Sequence, residues 1–486
     1  MLPKTLKYGS KIESAYARSM RSNIQPQNGT GPYNLGDTVI INIPTRANLV
    51  LVPSESYLKF NITVTNNSNA ANAFRWDSCG AHGIIQRIRV FHGSNLLSDI
   101  DNYGMLTKML YDIQMPTDAT YGKYNVLSGT RSDLVGRLPT FITINQAGAD
   151  VAVATANSAN YVLNAATQAG VPVTQINSGD RIEGNGALVA AAGTTTATYC
   201  LSLVSRVGLL CSQNYIPLFE MTSAPLRVEI QLVDSLLKAV NYLTANGGVP
   251  TATFSNVEYV GNFIELGDPA VAMIKDSLGG QPLQFVVPDY RNYVYNYQLL
   301  NNNTPTLAFP IAAKFSSLKA VFVTVRDKGT GAVTFFPYSS VSRNINDYQF
   351  RIGANVFPPK VPSTLPEMFA EVLKATGSIS DINQQPSIDK ASYSLVSSLA
   401  TATTLDSATS VSYQQSGSFY IGIDLENYCN APKDSIFTGY NSNTEDIYCL
   451  INYGQQQGAD SNCRFDAFAN FDCVVICENN TAYIRF

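Results

Sequence analysis

The sequence predicts an all-β protein made of two consecutive β-sandwich modules, with a few short helices and long projecting loops. Three observations lead to this prediction. Short segments of strand character follow one another with turn residues between them, which is typical of sandwiches. Only two segments have clear helical periodicity. One order of strand, turn and helix also occurs twice along the chain, which indicates two copies of one module.

The composition limits the classes of function. The chain has 486 residues, of which 14% are charged, and its formal net charge is −4. A typical soluble domain has about 25% charged residues, so this surface must be rich in Asn, Ser, Thr, Gln and Tyr. A protein that wraps nucleic acid over its whole surface would be strongly basic, which excludes that role for most of the chain.

The sequence offers little for catalysis or metal binding. His82 and His92 are the only histidines, and histidine is the usual general acid or base and the commonest metal ligand. The common nucleotide-binding, serine-hydrolase and zinc-protease motifs do not occur. Cys79 and His82 form a C-x-x-H pair without a second pair at zinc-finger spacing. We therefore interpret both as structural, and expect no enzyme activity, no catalytic or metal site and no cofactor.

The eight cysteines are interpreted as reduced thiols. Cys473 and Cys477 lie in one predicted strand, where a rise of ~3.3 Å per residue separates them by ~13 Å. A disulfide allows at most about 7 Å between Cα atoms. The first residues, MLPKTLKYGSK, contain no apolar run of the kind found in secretory signals, so we expect synthesis in a reducing compartment of the host cell.

The first 27 residues form a basic segment with little apolar content. Their one acid is Glu13, and their basic residues are Lys4, Lys7, Lys11, Arg18 and Arg21. Two interpretations remain open for these five side chains. They make inner-face or assembly contacts with phosphates, lipid head groups or neighbouring subunits, or they belong to a solvated tail.

The strand predictions rest on side-chain alternation. Residues 57–65 place Leu58, Phe60, Ile62 and Val64 on one face, and residues 84–91 alternate as well. Residues 38–43 alternate little, which predicts a strand buried on both faces. Further strands are predicted at residues 257–266, 292–300 and 317–326.

Two helices are predicted. Residues 103–112 carry an apolar stripe, with Asp101 as the expected N-cap. Residues 366–375 carry a second stripe, with Thr364 as the N-cap and Gly377 as the stop.

Each predicted helix is the last element of an order that occurs in both halves of the sequence. In the first half this order is strand 84–91, turn 93–95 and apolar pair 96–97. In the second half it is strand 348–352, turn 353–355 and apolar pair 356–357. An Ala- and Thr-rich stretch follows each helix, at about residues 147–200 and 391–418, and we expect these stretches to form the projecting loops.

The module boundary is predicted near residues 277–288, which are rich in turn residues. The predicted organisation is an N-terminal arm at 1–35, a first module at 36–280 and a second module at 281–486. The chain is expected to end in a hairpin whose strands, 471–477 and 481–486, flank Asn479 and Asn480.

Five stretches, taken in order, resemble a known family. They are RIRVFHGSNLLSDIDNYGMLTKML (87–110), NYIPLFEMTSAPLRVEIQL (214–232), NVEYVGNFIELGDPAVAMI (256–274), YQFRIGANVFPPKVP (348–362) and FDCVVICENNTAYIRF (471–486). Together they resemble the double-jelly-roll major capsid proteins of tailless icosahedral DNA viruses, especially those of polintons, adintoviruses and virophages. The similarity spans most of residues 36–486 and lies in the order of strands, turns and helices.

The resemblance implies two jelly rolls per chain, a nearly hexagonal homotrimeric capsomer and an icosahedral virion shell around a DNA genome. The implied partners are the other copies in the trimer, neighbouring capsomers, a vertex (penton) protein and minor capsid proteins. The genome or an internal membrane would be contacted through the N-terminal arm, and the sequence does not identify a host receptor.

Two alternatives remain open at this stage. A single-jelly-roll coat protein of an RNA virus would need a longer and more basic arm, and would not need the repeated order of elements. A carbohydrate-binding or carbohydrate-active β-sandwich is the alternative from another class. Sugar-binding platforms usually contain tryptophan, and Trp76 is the only one in this chain.

Overall fold

The computed structural model describes fifteen segments of the chain. They are residues 17–66, 74–130, 143–144, 150–151, 187–189, 193–203, 206–211, 215–242, 250–327, 336–377, 379–380, 385–397, 416–426, 438–456 and 461–486. Within these segments, none of the helices has the length and apolar character needed to cross a membrane.

Strands of the first half pair into two main antiparallel sheets. The first has the order β1 (Ala17–Ile24), β14 (Thr251–Leu266), β4 (Leu49–Asn66) and β11 (Gly193–Leu201), and β2 (Tyr33–Asn34) also pairs with β14. The second has the order β3 (Thr38–Ile43), β12 (Leu226–Leu232), β6 (Ile85–His92) and β7 (Asn95–Asp101). Two smaller sheets consist of β5 (Phe74–Trp76), β10 (Ala187–Val189) and β13 (Val240–Tyr242), and of β8 (Thr143–Ile144) and β9 (Asp150–Val151).

Strands of the second half repeat this pattern. One sheet has the order β15 (Leu283–Leu299), β22 (Ser461–Glu478), β17 (Leu318–Asp327) and β20 (Tyr420–Asp424), and β23 (Thr481–Arg485) also pairs with β22. The other has the order β16 (Thr306–Ile311), β21 (Ile447–Tyr453), β18 (Ile345–Ile352) and β19 (Asn355–Phe357).

The helices are short and few in the described segments. They are α1 (Tyr103–Gln114), α2 (Thr117–Tyr121), α3 (Lys123–Ser128), α4 (Asp268–Leu278), α5 (Leu365–Thr376) and α6 (Lys390–Tyr393). The predicted start of α5 is confirmed, because Thr364 Oγ1 accepts a hydrogen bond from the backbone N–H of Glu367. Gly377 follows its last residue, as predicted.

The two halves share one topology. In each half, a hairpin lies at the edge of a four-stranded sheet, and the next element along the chain is a helix: α1 follows β6–β7, and α5 follows β18–β19. The predicted class is therefore confirmed as two consecutive sandwiches, and a single jelly roll does not describe the chain. Apolar side chains from both halves join one continuous hydrophobic core.

Two local predictions are wrong. The N-cap of α1 is Asn102 rather than Asp101, and Asn102 adopts a left-handed backbone with φ of 51°. Its side chain makes no cap bond, because it contacts the second half of the chain instead. The strand β3 is also not buried on both faces: Val39, Ile41 and Ile43 are buried, but Ile40 is only half-buried. The central strand β12 of the same sheet alternates in the same way, because one face of this sheet packs on the core and the other is partly exposed.

Both chain ends of the described structure lie in sheets. β1 contains residues from the segment assigned to the arm, and it pairs with β14 along its full length. At the other end, Asn479 and Asn480 have positive φ values of 51° and 62° and form the predicted two-residue turn between β22 and β23. Most of the predicted projecting loops, at 147–200 and 391–418, lie outside the described residues.

Candidate assembly surfaces

A buried lysine lies at the seam between the two halves. Lys108, on α1, places its Nζ atom 3.0 Å from Asp77 Oδ1 and 2.9 Å from Asp112 Oδ2. None of the three side chains is more than 6% exposed. Buried charges are tolerated only when they are paired and hydrogen-bonded, so this cluster depends on every partner that the fold supplies.

The second half completes the cluster. Ser416 Oγ donates to Asp77 Oδ2 at 2.6 Å. Ser418 Oγ and Tyr420 Oη donate to Asp112 Oδ2 at 2.8 and 2.6 Å. Both first-half carboxylates therefore need hydroxyl groups that lie more than 300 residues later in the chain, and the two sandwiches are joined as one block.

The pKa shifts agree with a charged cluster. Burial alone would raise the pKa of Asp77, but the charge of Lys108 and the hydrogen bonds from Ser416 and Ser78 hold it below its ordinary value. Burial alone would lower the pKa of Lys108, but the adjacent carboxylates of Asp112 and Asp77 raise it instead. The ionised form of each group is thus favoured in the folded chain.

A second buried charge lies on β22. The carboxylate of Asp466 is fully buried and accepts from Nε of Arg326 at 2.7 Å and from Nε of Arg464 at 2.9 Å. Asn102, the first residue before α1, donates to the same carboxylate at 3.0 Å. This contact explains why Asn102 is not a conventional cap, and it joins the helix of the first half to the sheet of the second.

A third seam group is a carboxyl that accepts hydrogen bonds from both halves of the chain. Asp289 Oδ1, on β15, accepts from Ser98 Oγ at 3.1 Å, from the backbone N–H of Gly208 at 3.1 Å and from that of Tyr290 at 2.9 Å. Burial raises the pKa of Asp289 to about 7 despite these bonds. A Cβ atom at Gly208 would lie 2.8 Å from Asp289 Cγ, so the contact requires glycine there.

The last strand of the chain is held by the first half. The backbone N–H of Ala482 donates to Nδ1 of His92 at 3.1 Å, and Nε2 of His92 lies 3.0 Å from the carbonyl oxygen of Met221. The proton must therefore be on Nε2, which fixes the tautomer. Asn95 Nδ2 also donates to the carbonyl of Ala482. His92 thus has a structural position at the seam.

Of the five basic residues predicted to make assembly contacts, the structure describes two. Arg18 and Arg21 are exposed on β1 and, three residues apart on a strand, face opposite sides of the sheet. Arg18 lies opposite Glu265, and Arg21 donates to the hydroxyl of Tyr57 at 2.9 Å. Lys4, Lys7 and Lys11 lie outside the described residues, and the assembly role of all five stays a prediction.

The residues with catalytic or ligand-binding character have internal partners. His82 is buried, and its two ring nitrogens each lie 3.2 Å from a tyrosine hydroxyl, that of Tyr103 or of Tyr111. Burial, together with the charge of Arg206, holds the pKa of His82 well below its ordinary value. No group of three or more His, Cys, Asp and Glu side chains in the described segments could hold a metal ion.

Trp76 and the cysteines are also structural in their contacts. Trp76 is buried and donates its indole N–H to the hydroxyl of Tyr199 at 2.8 Å, so it offers no exposed ring for a sugar. Four of the described cysteines are free thiols: Cys79, Cys200, Cys449 and Cys477.

The seam was not found from the sequence. The one available signal was a lysine and an aspartate four residues apart within the apolar stripe of α1, at Lys108 and Asp112. A charged pair on the apolar side of a helix indicates a buried ion pair with outside partners. The identity of those partners depends on the fold.

Comparison with known proteins identifies the fold. No family model and no curated protein sequence matches the chain. Among solved structures, the mavirus major capsid protein is 11% identical, with a TM-score of 0.53 over 100% of this chain and 95% of that one. The Sputnik virophage structure is 10% identical, with a TM-score of 0.54 over 100% and 92% of the two chains. The PBCV-1 virus capsid is 8% identical, with a TM-score of 0.56 over 99% and 100%.

At these identities the similarity concerns the fold, and it extends over 99–100% of this chain and 92–100% of the others. The repeated sandwich topology found above agrees with it. The chain therefore has the double-jelly-roll fold that is also found in these viral capsid structures.

Proposed function

We propose that the chain is a major capsid protein, a structural subunit without catalytic activity. The observation that carries this proposal is the structural similarity to capsid proteins over nearly the full length of both chains. A low content of charged residues and many tyrosines and phenylalanines, 27 and 22, suit a protein that buries several interfaces per subunit.

The proposed building block is a homotrimer. Three chains with two similar sandwiches each would supply six sandwiches around a threefold axis, giving a nearly hexagonal block that can tile an icosahedral shell. The seam supports this proposal, because hydrogen bonds to the buried carboxylates cross between the two sandwiches of one chain. Hydroxyl groups of the second half donate to Asp77 and Asp112, and Asn102 of the first half donates to Asp466. A rigid pair of sandwiches is the unit that such tiling requires.

We propose the division into modules at 36–280 and 281–486, preceded by the arm at 1–35. Strand pairing supports the boundary between the two modules, since in the described segments no strand up to Leu266 pairs with a strand from Leu283 onward. Two strands within the arm, β1 and β2, pair with β14 of the first module. The arm would make inner-face contacts with the genome, an internal membrane or neighbouring capsomers. A vertex protein and minor capsid proteins would complete the virion, where the protein would be located.

Light scattering of the purified full-length chain tests the oligomeric state. The expected mass is about three times the 52.7 kDa of one chain, and it should persist on dilution because a capsomer buries large interfaces. A stable monomer over the same concentration range would contradict the proposal. If the mass is that of a trimer, imaging of assembled particles from the same preparation would show whether the trimers tile.

A further inference from the structure

The strand directions place three features at one end of the molecule, here called the base. β14 ends at Leu266, α4 follows, and β15 begins at Leu283. Ala17, the first described residue, pairs with Leu266. Because α4 follows the end of β14 and Ala17 pairs with that same end, α4 and the start of β1 are neighbours at the base.

An apolar groove of about 520 Å³ lies at the base. Ile264, Leu266, Ile274, Leu283 and Phe285 contribute to its walls, and Ala17 is at its edge. None of the side chains of α4, which contributes Ile274, is buried. Exposed apolar surface of this kind marks an interaction site in soluble proteins.

The chain before Ala17 has the chemistry to fill this groove. Residues 1–16 include the apolar side chains Leu2, Leu6 and Ile12. The same segment carries three lysines against one acid. The helix α4, which contributes Ile274 to the groove, has exposed carboxylates at Asp268 and Asp276, and its one lysine, Lys275, pairs with Glu220 at 2.8 Å. Apolar and charged complementarity therefore point to the same occupant.

The reach of the segment favours a neighbouring copy. Sixteen extended residues span ~53 Å at ~3.3 Å per residue, about the length of β15, which has 17 residues. To fill the groove of its own chain, the segment would have to reverse direction just before Ala17. Residues 13–16 are Glu, Ser, Ala and Tyr, without the glycine or proline that a tight reversal favours.

We propose that the apolar side chains of residues 1–16 of one copy pack into the base groove of a neighbouring copy. The inference rests on the proposed function, since it needs copies held side by side. It assigns the basic segment a definite partner surface, formed by α4 and the ends of β14 and β15. The arm contact would then link subunits at the base, while the seam keeps each subunit rigid.

Photo-crosslinking in the full-length chain tests this inference. A benzoylphenylalanine at Leu6 should give, after irradiation, a band at about twice 52.7 kDa on a denaturing gel. Mass spectrometry should map its second end to α4 or to residues 283–285. Ile274→Asp should reduce this band at least fivefold. Val126→Asp is the matched control, because Val126 is 69% exposed on α3, outside the groove, and should leave the band unchanged.

The outcomes separate this inference from the function. A trimer by light scattering whose Leu6 crosslinks stay within one chain, or go elsewhere on a neighbour, would overturn the arm contact and leave the capsid proposal intact. A band that Ile274→Asp does not weaken would overturn it as well. A monomer in the same preparation would instead contradict the proposed function.

Discussion

Replacing Lys108 by methionine should destabilise the whole chain through the seam. Methionine is similar in length but carries no charge, so the carboxylates of Asp77 and Asp112 would remain buried without their cation. Removing one partner of a buried ion pair typically costs about 3–5 kcal/mol. The hydroxyl groups of Ser416, Ser418 and Tyr420 would still donate to them, which places the expected loss within this range rather than above it.

The loss can be expressed as a change in melting temperature. Unfolding entropy is about 2.1 cal/mol/K per residue, which gives about 1 kcal/mol/K for 486 residues. Lys108→Met should therefore lower Tm by about 3–5 °C. Differential scanning calorimetry at pH 7 measures this shift directly, with the wild-type chain under the same conditions.

An exposed ion pair with the same spacing in the sequence provides a matched control. Lys238 pairs with Asp234, also four residues apart, but both side chains are more than 60% exposed. Exposed pairs contribute about 0–1 kcal/mol, so Lys238→Met should lower Tm by no more than about 1 °C on the same conversion. If Lys108→Met shifts Tm no further than this control does, the argument that the seam depends on a buried ion pair is wrong.

Two further predictions concern the described packing. Because the pKa of Asp289 is raised when folded, its protonated form stabilises the fold fully below about pH 4, and this stability is lost as pH rises through about 7. Denaturant titrations should therefore show that the unfolding free energy of Asp289→Asn rises relative to that of the wild type, by up to about 1.4 kcal/mol per pH unit between pH 4 and 7. A constant difference in unfolding free energy over that range would contradict the raised pKa of Asp289. Gly80→Ala should cost about 1–3 kcal/mol from crowding, since its Cβ would collide with the carbonyl oxygen of Ser128. Gly279→Ala has nearly the same positive φ with open space around it, and equal unfolding free energies for the two variants would refute the crowding.

Local sequence patterns predicted the elements that carry their own signals. The alternation at residues 57–65 agrees with the burial of Leu58 and Phe60 on β4. Thr364 is predicted as the cap of α5 because it stands just before an apolar stripe of helical spacing, and its Oγ1 accepts from the backbone N–H of Glu367. The two-residue turn at Asn479 followed from the tolerance of asparagine for positive φ. Each of these features depends on residues only a few positions apart.

Features that depend on distant partners could not be predicted in the same way. The burial of Lys108 is compensated in part by groups more than 300 positions away, and the local pair of Lys108 and Asp112 does not indicate which groups those are. β1 has the sequence ARSMRSNI, without apolar alternation, and it is a strand because β14 supplies its partner.

The helix α4 is a different case. Asp268-Pro269 at its start and Gly279 after its end are recognised helix signals, but the sequence analysis predicts no helix between the strand at 257–266 and the turn-rich boundary at 277–288.

We propose that each chain supplies two similar sandwiches, fixed side by side, to one trimeric block. Negative-stain class averages of the purified trimer, viewed along its threefold axis, test this arrangement. We expect a nearly hexagonal outline with six densities of similar size, two from each chain. An outline with three separate lobes, or with the two sandwiches of a chain at variable distances, would contradict it.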